Sequence, residues 1–141
     1  MVGRVLGLDL GERRVGLALS DPLGRIAQVL PPLAFRDTVR FLSEILDLIE
    51  TNRVEKIVVG LPLNMDGTCG PSAQRALEMI ERIRETCRLP VETVDERLST
   101  KEAEKLLIYA DVSRKKRKKS LDSLSAVLIL QQYLDKQNRA K

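Results

Sequence analysis

The stretch VLGLDL at residues 5–10, followed by VGLALS at residues 15–20, sets two apolar runs on either side of a short polar turn. Such runs, separated by a turn that begins with Gly11, are typical of two paired strands. Asp9 is the only charged residue in the first run. A carboxylate on a strand buried by its neighbours is costly unless a cation or a metal ion accompanies it. Asp9 is therefore the starting point for predicting function.

Strand-like and helix-like segments alternate along the rest of the chain. The sequence predicts an antiparallel meander of three strands, and two later strands that run parallel to the first through helical crossovers. This is an α/β fold with a five-stranded mixed sheet flanked by helices, built as one domain over residues 1–141. The predicted strands are 3–10, 14–20, 25–30, 56–61 and 90–95, and the predicted helices include 37–51, 99–109 and 121–136.

Apolar periodicity and capping residues indicate how the helices begin and which faces point inward. Asp37 is the predicted N-cap of the first helix, and Ser99 with Glu102 forms a capping-box signature for the helix at 99–109. The inward positions are Val39, Leu42, Ile45, Leu46 and Ile49 in the first helix, and Ala73, Ala76, Leu77, Ile80 and Ile83 in the second.

The composition of the chain excludes several kinds of catalytic and metal-binding site. The chain has 141 residues, 43% of them apolar, which is enough for a sizeable core. It contains no histidine, which excludes histidine-based acid–base catalysis and histidine-ligated zinc. Its two cysteines, Cys69 and Cys87, are too few for a four-cysteine zinc site, and we expect both to be reduced. No apolar run approaches the roughly 20 residues that span a bilayer, so we expect a cytoplasmic protein without membrane contact.

Basic charge is concentrated near the carboxyl end of the sequence. Residues 113–141 carry nine Lys and Arg residues against two acidic ones, whereas residues 1–112 carry 15 against 18. One interpretation is a solvated loop, and the other is a binding surface for nucleic acid. With two Tyr, two Phe and no Trp in the chain, such contacts would be mainly with phosphates. The consecutive cations are Arg114, Lys115, Lys116, Arg117, Lys118 and Lys119.

Acidic residues follow the ends of the predicted parallel strands. Because those ends share one edge of an open α/β sheet, Asp9, Asp95 and Glu96 should meet there, with Asn64 and Asp66 nearby. Asp95 and Glu96 point to opposite faces of their strand, and Glu96 is favoured as the partner of Asp9. The alternative for this pair is a solvated strand end paired with Arg97. Asp21 falls in a turn at the opposite edge and is assigned a structural role.

Asp122 is a third acid of interest, because it shares a helical stripe with Ala126, Ile129 and Tyr133. An acid near a helix N-terminus can simply complement the helix dipole. Its place on an otherwise apolar stripe favours a second interpretation, in which it faces the other two acids. Three partly buried carboxylates repel one another unless divalent cations lie between them, so this arrangement indicates a metal site.

Four ordered motifs resemble the YqgF (RuvX) family over nearly the whole chain. This resemblance implies an RNase H-like nuclease fold, similar to that of Holliday-junction resolvases, and processing of the 5′ end of pre-16S ribosomal RNA. It also implies a catalytic and metal-binding set of Asp9, Glu96 and Asp122, with Asp95 as an auxiliary acid. Ser125, where the family often has alanine, is a small departure. The motifs are GLDLG with RVGLA, VGLPLNMDG, DERLST and DSLSAVLIL.

The expected reaction is metal-assisted phosphodiester hydrolysis. Asp9 would bridge two Mg²⁺ or Mn²⁺ ions, with the other two acids completing the coordination. Arg13, Arg14 and Arg97 would hold phosphate or orient the carboxylates. The expected partner is precursor ribosomal RNA or structured DNA, bound by a monomer or a homodimer.

Three alternative functions follow from the same residues. A DNA-junction endonuclease would use the same acids, and a noncatalytic RNA-binding module would use the same basic run. An ATP-binding phosphotransferase shares the first motif, but such proteins resemble a duplicated domain, for which 141 residues leave no room.

Overall fold

The computed structural model describes residues 3–64, 66–95 and 114–139, without the side chains of 114–123. These residues form five strands and three helices. In chain order the elements are β1 (Arg4–Leu10), β2 (Arg14–Ser20), β3 (Ala27–Ala34), α1 (Thr38–Asn52), β4 (Val54–Leu61), α2 (Pro71–Cys87), β5 (Val91–Asp95) and α3 (Arg114–Arg139). No helix in this described part is long and apolar enough to cross a membrane.

The five strands form one mixed sheet in the order β3-β2-β1-β4-β5. The first three strands are antiparallel neighbours, whereas β4 runs parallel to both β1 and β5. The predicted sheet of an antiparallel meander plus two parallel strands is confirmed. Because β1, β4 and β5 point the same way, their carboxyl ends share one edge, which we call the upper edge.

Each face of the sheet carries its own core. On one face, Leu6 and Leu8 of β1 pack with Phe41 and Ile45 of α1 and with α2. On the other face, the core contains Ala18, Val58, Ala126, Ile129, Leu130, Tyr133 and Leu134, so α3 alone covers it among the described helices. Successive strand residues point to opposite faces, so every position of β1 is assigned to one core or the other.

A glycine in β1 lets α3 approach the sheet closely. A Cβ atom added to Gly7 would lie 2.8 Å from the Cβ of Leu130 and 3.4 Å from the carbonyl oxygen of Ala126. The Leu130 Cβ is fixed to the helix backbone and cannot swing aside. The closeness of α3 to β1 therefore depends on the absence of a side chain at this one position.

Polar contacts hold the C-terminal half of α3. Gln131 accepts a hydrogen bond from the Ala27 amide at 2.9 Å and donates one to the Arg25 carbonyl at 2.9 Å. Asn138 donates to the Gly24 carbonyl at 3.2 Å. These partners lie in and next to the β2–β3 turn, at the edge opposite the upper edge. The C-terminal half of α3 is thus held at the lower edge, and the helix begins toward the upper edge.

A partly buried lysine adds a second anchor for α3. Lys56 of β4 donates to the Tyr133 hydroxyl at 2.6 Å and pairs with Glu92 of β5 at 3.1 Å. Its ammonium also lies 5.1 Å from the centre of the Tyr133 ring. The hydrogen bond to Tyr133 and the contact with Glu92 raise the pKa of Lys56, and partial burial opposes them. Three elements meet at this cation, which fixes the register of α3 on the sheet.

Two predicted element boundaries are wrong. Strand β3 extends to Ala34 and includes Pro31 and Pro32, whereas the sequence predicted that it ends at residue 30. Proline lacks an amide donor but is tolerated on an edge strand, which β3 is. The last helix begins at Arg114 rather than near 121, so the basic run is helical and not a loop. Lys and Arg are good helix formers, and no Gly or Pro interrupts residues 114–139.

The prediction of inward helix positions is wrong for three residues. Val39 and Leu46 of α1 are 80% and 40% exposed, and Leu77 of α2 is 39% exposed. The inward face of α1 is centred on Phe41 and Ile45. At about 100° per residue, Val39 and Leu46 lie roughly 140° and 120° around the helix from that centre, on its outer side. The predicted helix at 99–109, with Ser99 and Glu102, lies outside the described residues.

Other local predictions are confirmed. Asp37 caps α1 by accepting from the Arg40 amide at 2.8 Å. Asp21 lies at the lower edge and accepts from the amides of Arg25 and Ile26 at 2.7 and 2.9 Å, which is the expected structural role. Cys69 is exposed and Cys87 is half-buried, and the two are not joined to each other.

Replacing Gly7 with alanine should destabilise the protein by about 1 to 3 kcal/mol, because the new methyl group overpacks the contact with Leu130. Urea denaturation measures this effect. Gly3→Ala is a matched control, since its added Cβ meets only the flexible side chain of Glu55, at 2.8 Å. Equal stabilities for the two variants would show that α3 does not need the close approach at Gly7.

Asp21→Ala should lower stability at neutral pH, and the difference from the unchanged protein should shrink in acid. Hydrogen bonds from the amides of Ile26 and Arg25 lower the pKa of Asp21. A carboxyl whose folded pKa is depressed stabilises the fold above its unfolded pKa of about 3.9, and loses that contribution as pH falls through the folded pKa. Urea midpoints at pH 7, 5 and 3 test this. A difference that stays constant with pH would contradict it.

Candidate active site

Asp9 is a half-buried carboxylate near the end of β1. Leu8 and Leu10, its neighbours in the strand, belong to the face covered by α1 and α2. Asp9 therefore points to the same face as Gly7, the face that α3 covers. This places the carboxylate at the upper edge, where the predicted ligand-binding end of the sheet lies.

Glycines occupy the neighbouring position on each side of Asp9. Gly16 of β2 is its direct partner in the antiparallel ladder. On the other side, Leu8 pairs with Val59 of β4, so the next pair brings Asp9 beside Gly60. Side chains at either position would point to the same face as the carboxylate and crowd it. Both glycines are buried, and neither places a side chain beside the carboxylate.

Sequence reasoning missed these two glycines as part of the site. Each interrupts an apolar strand, and a glycine inside a strand often marks the close approach of a ligand or of another backbone. That signal was available in the runs VGLALS at 15–20 and IVVGL at 57–61. Only the register of the sheet shows that both glycines flank the same aspartate.

Asp95 ends β5 at the same edge but not on the same face. It pairs with Leu61 and continues the row of Val91 and Thr93. Val91 is buried in the core beneath α1 and α2. Asp95 therefore points away from the face of Asp9, and the structure does not bring these two acids together. Glu96 and Arg97 lie outside the described residues.

Helix α3 carries Asp122, its apolar stripe and the basic run. Ala126, Ile129 and Tyr133 are buried against the sheet, as the predicted stripe requires. Position 122 lies one turn before Ala126 in the helix, and the basic run forms its first residues. The side chains of Asp122 and of the run from Arg114 to Lys119 lie outside the described ones.

A tight β1–β2 turn presents two arginines at the upper edge. The Gly11 amide donates to the Arg14 carbonyl at 3.0 Å, and the Phe35 amide donates to the Arg13 carbonyl at 2.8 Å. A Cβ at Gly11 would lie 2.5 Å from the Arg14 carbonyl oxygen, so the turn requires glycine. Arg13 and Arg14 are both exposed. In the sequence, these two positive charges follow Asp9 by four and five residues.

The polar residues after β4 order their own loop. Asp66 accepts from the backbone amide and hydroxyl of Thr68 at 2.9 and 2.6 Å. Asn64 donates to the Thr68 hydroxyl at 3.0 Å, and its carbonyl accepts from the Gly67 amide at 2.8 Å. These contacts give Asn64 and Asp66 a structural role in the loop.

The donor set near Asp9 suits a hard cation. Within residues 3–64, 66–95 and the side chains from 124 onward, no three His, Cys, Asp or Glu residues cluster as metal ligands. Two of the three predicted ligands, Glu96 and Asp122, lie outside that set. Asp9 offers carboxylate oxygens, which Mg²⁺ and Mn²⁺ prefer, and its two glycine neighbours carry no side chains that would compete for them.

A solved structure confirms the RNase H-like fold expected from the sequence. The chain resembles the Thermus thermophilus resolvase RuvC, solved in complex with a Holliday-junction substrate, with a TM-score of 0.59 at 16% sequence identity. The match covers 97% of this chain and 96% of that one. At this identity the likeness concerns the fold alone.

Two relatives share far more of their sequence with this chain than that solved structure does. A protein of Desulforamulus reducens is 50% identical over 133 residues, covering 94% of this chain and 96% of the relative. A protein of Syntrophomonas wolfei is 49% identical over 132 residues, covering 94% of both. Both relatives carry the name "Putative pre-16S rRNA nuclease".

The family comparison agrees with the motifs. The model of the RuvX family, described as "Holliday junction resolvase", matches residues 3–136. The match includes the segments that contain Asp9, Glu96 and Asp122. The chain therefore belongs to the RuvX family.

Proposed function

We propose that this protein is a metal-dependent nuclease that hydrolyses phosphodiester bonds and processes the 5′ end of pre-16S ribosomal RNA. The observation that carries the proposal is Asp9, a half-buried carboxylate at the upper edge with a glycine on each side. Relatives about 50% identical are named for this substrate. The reaction would take place in the cytoplasm, where ribosomal RNA precursors are made.

The packing of α3 supports Asp122 as a second acid of the site. Ala126 and Leu130 lie against Gly7, and α3 begins toward the upper edge. Four helical residues rise about 6 Å, and two strand residues rise about 7 Å. Position 122 therefore lies about as far from Ala126 along the helix as Asp9 lies from Gly7 along the strand. The helix position of Asp122 is then expected to be level with Asp9.

Strand alternation supports Glu96 as the third acid. Asp95 points to the face of α1 and α2, so the next residue of an extended strand points to the face of α3. In that arrangement Glu96 shares a face with Asp9, and Asp95 acts at most on the rim of the site. The proposed catalytic and metal-binding set is Asp9, Glu96 and Asp122.

The residue types indicate a role for each side chain in the proposed reaction. When bound, two Mg²⁺ or Mn²⁺ ions would supply an activated water and neutralise charge on the leaving oxygen. Asp9, Glu96 and Asp122 would hold the ions with carboxylate oxygens. Gly16 and Gly60 would leave room for the scissile phosphate beside Asp9. Arg13 and Arg14 would contact neighbouring phosphates, and Arg97 is proposed for the same work or to orient the carboxylates.

The basic start of α3 would bind the nucleic-acid backbone. Arg114 to Lys119 precede Asp122 within one helix, so phosphates bound by the basic residues would lie near the acids. Six cations in two turns of a helix favour contacts with phosphates over contacts with base edges. This segment would give affinity without sequence specificity.

A second candidate function is cleavage of DNA junctions. The description of the family model favours it, because it names a Holliday-junction resolvase. A symmetric junction calls for two active sites related by a two-fold axis, so this function needs a dimer. Sedimentation of the protein, with cleavage assays on pre-16S RNA fragments and four-way DNA junctions, separates the two functions.

Asp9→Asn, Glu96→Gln and Asp122→Asn should each abolish hydrolysis of labelled pre-16S RNA in Mg²⁺ and leave the fold intact. Without metal, removing one of several mutually repelling carboxylates should leave stability unchanged or raise it. The stabilisation that Mg²⁺ gives by binding the native state should fall. Thermal melts with Mg²⁺ and with EDTA measure both effects.

The control for these variants is Asp47→Asn, on the exposed side of α1, which should keep full activity and the full effect of Mg²⁺ on the melt. An acid variant that retains metal-dependent cleavage removes that residue from the site. If no RNA or DNA substrate is cut while RNA still binds, the protein is a noncatalytic RNA-binding module.

Changing Lys115, Lys116, Lys118 and Lys119 to glutamine should weaken nucleic-acid binding across sequences. Glutamine keeps helix propensity, so the weaker binding reflects charge. The slope of log K against log salt should fall by roughly 0.7 to 0.9 for each phosphate that the variant no longer neutralises. The control changes Lys136 and Arg139, exposed residues at the other end of α3, to glutamine. An unaltered slope in the four-lysine variant would show that the basic run is a solvated surface that does not bind phosphates.

A further inference from the structure

A pocket lies at the upper edge on the face opposite Asp9. Its volume is about 450 Å³, within the roughly 300 to 1,000 Å³ of small-molecule sites. Leu10 and Val15 from the sheet, Phe35 after β3, and Ala76 and Met79 from α2 supply its apolar lining. It is a half-open cleft between the sheet and α2, next to the strand end that carries Asp9.

The polar groups at this pocket lie on its α2 and turn sides. Arg75 of α2 lines it, with a guanidinium nitrogen 3.2 Å from the Ser72 hydroxyl and 3.8 Å from a carboxylate oxygen of Glu12. The Arg75 side chain is 61% exposed and that of Glu12 is 87% exposed, so the ion pair between them is weak. Arg75 can exchange this contact for an incoming anion.

Further positive charge borders the same pocket. The β1–β2 turn contributes Gly11 and Glu12 to the lining and carries Arg13 and Arg14. The Arg13 carbonyl accepts the Phe35 amide, which ties this turn to the aromatic wall of the pocket. A ligand that suits the pocket thus has an apolar part and negative charge within reach of Arg75 and of the turn.

We infer that this pocket binds one unstacked nucleobase of the single-stranded part of the substrate, with the adjoining phosphates on Arg75 and the arginines of the turn. The inference rests on the proposed nuclease function. Leu10 and Asp9 are consecutive, so the pocket and the carboxylate lie on the two faces of one strand end. A strand crossing this edge would present a phosphate to Asp9 and a base to the pocket.

The lining suits a base better than other apolar groups. Unstacked bases are held on aromatic side chains and by hydrogen bonds to their edges. Phe35 offers an aromatic ring, and Ser72, Arg75 and Glu12 offer donors and an acceptor at the margin. The same pocket gives no continuous surface for a duplex. It would therefore select single-stranded segments, a preference that the acids and the basic run do not provide.

The test uses the methyl group of Met79 as a reporter of occupancy. The chain contains three methionines, so selective ¹³C-methyl labelling gives a simple spectrum, in which Met79→Leu assigns the signal. The full chain is titrated in EDTA, which prevents metal-dependent cleavage, with hexauridylate, uridine 5′-monophosphate, inorganic phosphate and a duplex RNA. The expected result is a shift of the Met79 methyl signal, with a nuclear Overhauser contact to uracil protons, for hexauridylate and not for phosphate or duplex.

Arg75→Ala should weaken hexauridylate binding about tenfold, as expected when roughly one charge-assisted hydrogen bond is removed. Arg82→Ala is the matched control, because Arg82 is exposed on the same helix two turns further and does not line the pocket. Hexauridylate should bind at least about tenfold more tightly than the monophosphate, since only the oligonucleotide reaches several arginines.

Three outcomes would overturn the inference. A Met79 signal that does not shift at saturating hexauridylate would show that no base enters the pocket. A shift of equal size with inorganic phosphate alone reduces the site to anion binding. Monophosphate binding as tight as that of hexauridylate makes it a site for a free nucleotide. Because these measurements need no cleavage, they fail or succeed independently of the acid variants in Mg²⁺.

Discussion

The close contact between α3 and β1 is the constraint on which the rest of the structure depends. The Leu130 Cβ and the Ala126 carbonyl occupy the space in which a side chain of Gly7 would lie. Gln131 and Asn138 at the lower edge, and the Lys56–Tyr133 pair on β4, fix how far along the sheet the helix lies. A helix held at this depth and register begins toward the edge where Asp9 lies, and this is why we propose Asp122 as a second acid of the site.

The second constraint is electrostatic. A half-buried carboxylate at a strand end is costly, and the sheet surrounds Asp9 with two glycines rather than with larger side chains. Carboxylate oxygens are the ligands that Mg²⁺ and Mn²⁺ prefer, and this is the basis of the proposed metal site. The same strand end puts Leu10 into an apolar pocket on the other face. One β-strand can thus serve metal chemistry on one face and recognition of a base on the other.

Much of the fold was predictable because local patterns and topology rules agree. The alternation of apolar residues, the caps at Asp37 and the turn at Asp21 predict the elements, and parallel crossovers predict the upper edge. One error arose where context overrides local pattern: prolines persist in β3 because it is an edge strand. The other arose where local propensity was overlooked: the basic run is helical because lysine and arginine are good helix formers. Of the proposed site, the half-buried position of Asp9 near a strand end was predictable from the apolar run around it. The glycines beside it and the pocket behind it depend on sheet register and helix packing, which one sequence does not display.

Paramagnetic broadening by Mn²⁺ tests the central claim, that Asp9 holds a divalent ion at the upper edge. In an amide NMR spectrum of the full chain, substoichiometric Mn²⁺ should first broaden the signals of Asp9, Gly16 and Gly60. Those of Asp21 and Gly24 at the lower edge should stay sharp, and Asp9→Asn should remove the selective effect. Broadening that is uniform, that centres on the Asp21 turn, or that persists unchanged in Asp9→Asn would contradict the account.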